Sequence, residues 1–383
     1  MSPFVQPAWM LTALCIALAA AACRLTASEA EPRASGQLDP VSLKAMEVFR
    51  ACEQSIGPEG YARNPNADWG WSESRIMMAY QAMYEGTRDE QYLSRLLEHI
   101  ELVLAARGDR RGLSDEIRGK MMPGWITTGY TKGKRHAFLV HAGMITYPMA
   151  RCVAVLRRDP QLAAKHAGMV EKTLTDVDQT IQGYEEDYRE GPGQGEGYYY
   201  CPMLQDLLPY NQQNALGRTL VAMYLATGKD WYRQRAEKLA RYFKNRLKLQ
   251  DGRYVWDYWS ARPGAEDVSH ASINVDFAFN CHRIGAVFDS TDMKRFVATF
   301  RHITRPDGFA DFVDGSQQGN YAITVGAWGH LGYLEGQVRQ VLIDYLTGHW
   351  REDSVLAMLA AGYLVETQRP FRMEHPSTAP AKR

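Results

Sequence analysis

The side chains best suited to chemistry gather in Gly191–Arg218, GPGQGEGYYYCPMLQDLLPYNQQNALGR. Glycines at 191, 193, 195 and 197 lead into three consecutive tyrosines, Tyr198, Tyr199 and Tyr200. Glycine reaches positive φ without steric cost, so this loop can lie close to a ligand. A tyrosine beside it can take a proton from carbon or give one to a leaving oxygen. Asn211, Asn214 and Arg218 follow at i, i+3 and i+7, one face of a helix that turns apolar at Leu216, Leu220, Val221 and Met223. Amides and a guanidinium on one face suit a carboxylate. The structural alternative is an asparagine N-cap over a solvated first turn.

Four further clusters carry polar groups at helix entrances. In Asp68-Trp69-Gly70-Trp71-Ser72-Glu73, Trp71 suits stacking on a sugar ring with Glu73 beside it; alternatively Ser72 caps a helix and Trp71 fills core. Trp125–His141 holds Tyr130, Lys132, Lys134, Arg135, His136 and His141. Cations at a helix N-terminus oppose the macrodipole, so a bound carboxylate would explain them; a solvated basic turn and, for His141, a satisfied core histidine are the alternatives. In Glu266-Asp267-Val268-Ser269-His270, Asp267 is placed to cap a helix and Glu266 to fix the tautomer of His270, which shares a face with Asn274. Asp276, a lone acid on that apolar helix, is expected to pair with a neighbour. Asp314–Tyr321, with Trp328 and His330, is expected to flank a cleft, and Trp256 offers another aromatic platform.

These residue types fit uronic-acid chemistry. Removing the proton beside a sugar carboxylate creates an enolate-like dianion, which asparagine, histidine or arginine can neutralise. A tyrosine or histidine takes the proton; elimination then gives a lyase, and reprotonation on the other face an epimerase. A hydrolase needs two carboxyls about 5–5.5 or 6.5–9.5 Å apart, for which Asp68, Glu73, Glu196, Glu266 and Asp267 are candidates. A non-catalytic glycan-binding protein using Trp71, Tyr199 and Trp256 is the third class. Metal and cofactor motifs are missing: there is no HExxH, His136 and His141 are i, i+5, and GPGQGEG has neither a preceding strand nor a following GK[ST]. No metal and no cofactor is expected. Lys plus Arg (44) balance Asp plus Glu (44), which gives no electrostatic case for nucleic acid. The expected partner is an acidic polysaccharide or oligosaccharide. Cys52, Cys152, Cys201 and Cys281 are scattered, and Cys152 and Cys281 sit in apolar helical patterns that predict buried free thiols.

The elements that must position these groups are helical. Amphipathic segments fall near 41–56, 72–86, 89–107, 135–158, 160–188, 211–227, 230–248, 270–288, 291–304, 320–335, 336–347 and 352–368, with Tyr254–Trp259 the best strand candidate. Ala82-Met83-Tyr84, then Thr87, Glu90 and Tyr92, recurs as Ala222-Met223-Tyr224, Thr227, Asp230 and Tyr232, about 140 residues later. Repeated helical hairpins bury their apolar faces only by stacking, and about six would close a ring with short turns at one end and long loops at the other. Ahead of them, apolar Trp9–Ala22 ends in four alanines before Cys23, as an export signal does. The expected organisation is a signal at 1–23, a polar leader at 24–40, a toroid at 41–370 and a disordered tail at 371–383. The expected location is periplasmic or secreted, with a lipid on Cys23 as the one route to a membrane.

This layout resembles the all-α (α/α) toroid superfamily of six-hairpin glycosidases, polysaccharide lyases and uronyl epimerases. The resemblance is carried by AMYLATGKDWY at 222–232, similar to alginate-lyase-like toroids, by YVWDYW at 254–259, and by EDVSH at 266–270, similar to glucuronyl-epimerase-like members. The NNH block of one lyase group is replaced by NQQN at 211–214. The resemblance implies an (α/α)6-type toroid and a polysaccharide lyase on a uronate glycan, with epimerase or hydrolase as alternatives. Tyr199 or a neighbouring tyrosine would then be base and acid, assisted by His270. Asn211 and Asn214 would hold the carboxylate, Lys134 and Arg135 would supply charge, and Trp71 and Trp256 would bind sugar.

Overall fold

The computed structural model describes residues 38–62, 69–319, 321–351 and 353–376. The expected signal, Cys23, nearly all of the leader and Asp68 lie outside the described residues. The described residues form twelve α-helices: α1 (Pro40–Ile56), α2 (Ser74–Thr87), α3 (Glu90–Ala105), α4 (Leu139–Arg158), α5 (Pro160–Lys165), α6 (Ala167–Gly183), α7 (Tyr210–Thr227), α8 (Asp230–Lys244), α9 (Val268–Arg283), α10 (Ser290–Ile303), α11 (Gly336–His349) and α12 (Val355–Glu366). A 3₁₀ segment, Ala322–Tyr333, takes one more helical place.

An inner ring consists of α2, α4, α7, α9, the 3₁₀ segment and α12, each packed on the next, with α12 closing back onto α2. The outer helices α1, α3, α6, α8, α10 and α11 precede them in the six pairs. Their sequences reflect the two layers. In α8 only Tyr232, Ala236, Leu239, Ala240, Tyr242 and Phe243 are buried, one stripe of a solvated helix. In α4 every residue from Leu139 to Leu156 is buried. That helix has the length and apolarity of a membrane span, but here it is a wall of the barrel. Inner helices approach closely: a Cβ on Gly143 would lie 2.3 Å from the Leu216 amide nitrogen, so only glycine lets α4 and α7 meet there.

The internal repeat is a shared way of ending an inner helix. Thr87 and Thr227 hydroxyls donate to the Met83 and Met223 carbonyls (2.7 and 2.6 Å) and accept the amides of Asp89 and Lys229. Between them Arg88 and Gly228 take left-handed φ of 65° and 70°, and their amides bond the Tyr84 and Tyr224 carbonyls. Such short turns lie at one end of the barrel; the N-termini of the inner helices and the long loops lie at the other. Those loops carry two-residue to five-residue strands, among them β1 (Ser114–Asp115), β2 (Lys120–Met121), β3 (Ile126–Thr127), β4 (His136–Ala137), β5 (Tyr188–Glu190), β6 (Gly197–Cys201) and β7 (Asp206–Leu207), followed by β8 (Lys248–Gln250), β9 (Arg253–Val255), β10 (Asp257–Trp259) and β11 (Arg262–Ala265). β5-β6-β7 form an antiparallel sheet and the others shown here pair as hairpins.

The barrel axis is polar. Arg218 Nη1 donates to Asp276 Oδ2 (2.8 Å), whose Oδ1 faces His330 Nδ1 (2.6 Å); the other ring nitrogen faces Glu366 Oε2 (3.3 Å). Burial disfavours a charge on His330, but the carboxylates of Glu366 and Asp276 overcome it and raise its pKa to about 9. Asp276 thus has the neighbour its sequence position called for, while His330, expected beside the cleft, is an axial residue. Cys152, Cys201 and Cys281 are buried free thiols, and Cys52 is buried. The chain beyond residue 370 differs from the expected disordered tail over Phe371–Pro376. Glu374 folds under the barrel into a clasp of arginines, and one buried carboxylate with three cationic partners is enough to fix the segment.

Candidate functional site

Five side chains from three inner-helix entrances and one loop meet at the long-loop end. Asp267 caps α9 through the amides of Ser269 and His270 (both 3.1 Å), and its second oxygen holds His270 Nδ1 at 2.6 Å. The His270 side chain remains 37% exposed. Burial works against an ionised Asp267, yet the His270 contact and the two amides keep its carboxyl below the usual range. Trp71, at the entrance to α2, stands edge-on to His141 of α4 (ring centroids 5.6 Å) and to His270 (6.3 Å). Tyr258 of β10 completes the group, 5.3 Å from the His270 ring and close to Gln212 of α7. Burial raises the Tyr258 phenol pKa and the charge of Asp267 adds to it, so the phenol keeps its proton. His141 sits under the rim where Gly70 leaves room for its ring: a Cβ there would come within 2.6 Å. Burial, and then the charge of His136, lowers the His141 pKa to about 4, so it is a neutral imidazole near pH 7.

Beneath this group lies a chain of neutral polar side chains. Trp256 Nε1 and Asn274 Nδ2 both donate to Glu266 Oε2, the latter at 2.6 Å, and Asn214 Nδ2 donates to Asn274 Oδ1 at 2.7 Å. Burial, reinforced by Asp267, pushes the Glu266 pKa well above the carboxylate range despite these donors, so Glu266 is a neutral acid. Several atoms in this layer lack hydrogen-bond partners among the described residues: both polar side-chain atoms of Asn211, Asn214 Oδ1 and Glu266 Oε1. A buried polar atom left unpaired costs about 1–3 kcal/mol, and such costs are retained where a ligand supplies the partner.

The structure therefore brings together Trp71, His141, His270, Asn214, Glu266 and Asn274, with Asn211 in the same first turn of α7 as Asn214. Other candidates stand elsewhere. Tyr199 is fully buried in β6, its hydroxyl donating to Glu185 (3.1 Å), and does not reach the mouth. The tyrosine run is a strand, so alternation sends Tyr199 inward and leaves Tyr198 half-buried against Tyr242 and Tyr200 under Arg189. Trp256 is fully buried and stacked on Trp328, so it is core and not a sugar platform. Glu73 is enclosed by His99 and the Tyr61 amide. Lys134, Arg135 and His136 precede α4 on the β3–β4 hairpin and do not form its first turn. Arg135 pairs with Glu116 (2.8 Å), Lys134 is exposed, and His136 is buried against Asp115 (3.0 Å). Arg218 shares the face of Asn214 but is committed to Asp276. Glu266 was expected to orient His270; Asp267 does so, because the N-cap position brings its second oxygen to the ring.

Tyr258 was missed as a site residue. The YVWDYW run carried the signal, but strict alternation would put Tyr258 on the face of buried Tyr254 and Trp256. A register shift between Asp257 and Trp259 turns it toward His270 instead.

No family model and no curated relative matches the chain. Solved structures do match in fold. The GH76A alpha-1,6-mannanase from Salegentibacter sp. HEL1_6 superimposes with a TM-score of 0.55 at 11% identity, covering 86% of this chain and 98% of its own. The chain has the six-hairpin glycosidase-like toroid fold. The unsaturated glucuronyl hydrolase from Bacillus sp. GL1 superimposes with a TM-score of 0.52 at 13% identity (85% and 94% covered), and a glycosyl hydrolase family 88 protein from Bacteroides vulgatus with 0.51 at 9% (85% and 97%).

Proposed function

We propose that the chain is an exported carbohydrate-active enzyme, a polysaccharide lyase that cleaves an acidic, uronate-containing glycan by β-elimination. The observation that carries the reading is the Asp267–His270–Tyr258 arrangement at the mouth. Asp267 occupies the Nδ1 side of the ring, so the neutral tautomer keeps Nε2 as a base. His270 draws the proton from C5 of the uronate. The electron pair forms the C4–C5 double bond as the C4–O bond breaks, and Tyr258 gives its proton to the departing oxygen. The charge building on the carboxylate is met by the amides of Asn211 and Asn214 and by protonated Glu266. Trp71 stacks on a sugar face. Two proteins of the same fold support a glycan substrate: one is a mannanase, the other a glucuronyl hydrolase responsible for degradation of glycosaminoglycan.

Hydrolysis has less support, since Glu73 and Glu266 are enclosed and Asp267 serves His270. The test is incubation with uronate polymers. A rise in absorbance near 235 nm, from unsaturated uronyl ends, is the expected result. Reducing ends without that rise would make the enzyme a hydrolase, and solvent deuterium entering C5 without cleavage would make it an epimerase; either outcome overturns the lyase.

A further inference from the structure

The short-turn end of the barrel holds a second concentration of charge that the proposed reaction does not use. A cavity of about 560 Å³ lies between the C-termini of α2, α4 and α9 and the final segment. Five arginines line it, Arg88, Arg158, Arg283, Arg369 and Arg372, against two carboxylates, Glu85 and Glu374. In a chain with no net charge this local excess of cations is unusual. The carboxylates are already taken. Arg151 makes two-point contacts with both Glu85 (2.7 and 2.8 Å) and Glu374 (2.5 and 2.8 Å), and Arg158 (2.9 Å) and Arg283 also reach Glu374.

The outer arginines have no such partner. Among the described residues none of Arg88, Arg369 and Arg372 lies within 4.0 Å of a carboxylate oxygen. Arg369 gives one bond to the Gly86 carbonyl (2.8 Å), and burial with the neighbouring charge of Arg88 pulls its pKa down. Of the arginines elsewhere on the surface, Arg95, Arg135, Arg301 and Arg351 each have a carboxylate beside them, whereas Arg189 and Arg262 lie over aromatic rings. Like charges held together in a concave, partly buried setting repel one another and concentrate an anion's potential. Guanidinium forks match the paired oxygens of phosphate and carboxylate groups.

We propose that this cavity is a second binding site, for a small multivalent oxyanion seated between Arg88, Arg369 and Arg372 at the end of the barrel opposite the mouth. Glu374 forms its inner wall and neutralises the deeper arginines. The site is therefore specific for a ligand that meets the outer three. Its ligand is a phosphate-bearing or a polycarboxylate molecule, and the two are separable by titration.

The test is calorimetric titration of the full chain with inorganic phosphate and, separately, with citrate, at ionic strength held constant with sodium chloride. One equivalent of at least one anion is expected to bind with Kd below about 1 mM. R369Q/R372Q should weaken it about tenfold while glycan turnover at the mouth stays unchanged. R88Q, on an exposed turn, gives the same reading should the double variant fail to fold. Preference for phosphate assigns a phosphorylated ligand and preference for citrate a polycarboxylate. Absence of saturable heat with both anions, or binding indifferent to these substitutions, overturns the site. Neither result bears on the lyase reading, which has its own readout.

Discussion

Along the axis and at the short-turn end, Arg218, Asp276, His330 and Glu366 are paired in series, and Arg151 grips two glutamates at once. At the long-loop end Asn211 is equally buried, and neither of its side-chain polar atoms meets a partner among the described residues. Both regions bury polar groups in one barrel, yet one sets its carboxylates against cations, with Arg218 Nε and Arg283 Nε left over, and the other leaves both ends of an amide waiting. Pairing fixes the inner helices against one another, whereas unmet hydrogen bonds at the mouth hold binding capacity in reserve at some cost in stability. The lesson is that a buried polar residue should be classed by its partners and not by its burial.

The contrast is broken most severely at Asp276. Asp276→Ala leaves Arg218 and His330 buried without their shared carboxylate and should cost about 3–5 kcal/mol, read as a lower denaturation midpoint. At the mouth the effects should fall on turnover instead. His270→Ala is expected to lower kcat about 10³-fold with little change in that midpoint. Tyr258→Phe should cost about 10²-fold, while Tyr199→Phe, which loses only the contact to Glu185, stays within about threefold of wild type; equal losses in the two would return the acid to the tyrosine run. Asn211→Ala removes two atoms that are unpartnered among the described residues, so kcat/KM should fall by about 10² while stability holds or rises slightly.

The gentlest probe is pH. The pKa of His330 is raised to about 9, so the folded state binds the extra proton between the ordinary value and 9. Its contribution is complete below about pH 6.5 and is lost as pH rises through 9. His141 has the opposite sign: its pKa is lowered to about 4, so its contribution is present above about pH 6.5 and is lost as pH falls through 4. Melting curves should show His330→Gln flattening the alkaline limb and His141→Gln the acid limb.

The helical ring was legible because periodicity, turn chemistry and an internal repeat all pointed to it, and Thr87 and Thr227 show the repeat's physical basis. The place of His270 at a helix entrance beside Asn274 was legible, but its orienting partner was not: the N-cap Asp267 holds the ring, in the role expected of Glu266. The tyrosine run misled because its chemistry was read without its alternation, which sends Tyr199 inward. Trp256 misled for a related reason: an aromatic ring suits sugar and core equally, and only packing on Trp328 separates the two. Tyr258 depends on a register shift, a tertiary event with no local signature.

The seam between the first and last helical pairs has a consequence for how the molecule comes into being. Arg339 clasps Asp39 across 300 positions of chain, and Ser42 reaches the Leu364 carbonyl across 322. Helix α12 is therefore a wall of the first pair, and a nascent chain holds an open arc whose inner faces are wet until α12 has been made. Folding dominated by such distant closure is slow, so assembly of this barrel is a late event, and a chain cut short before α12 would have every other helix and no ring.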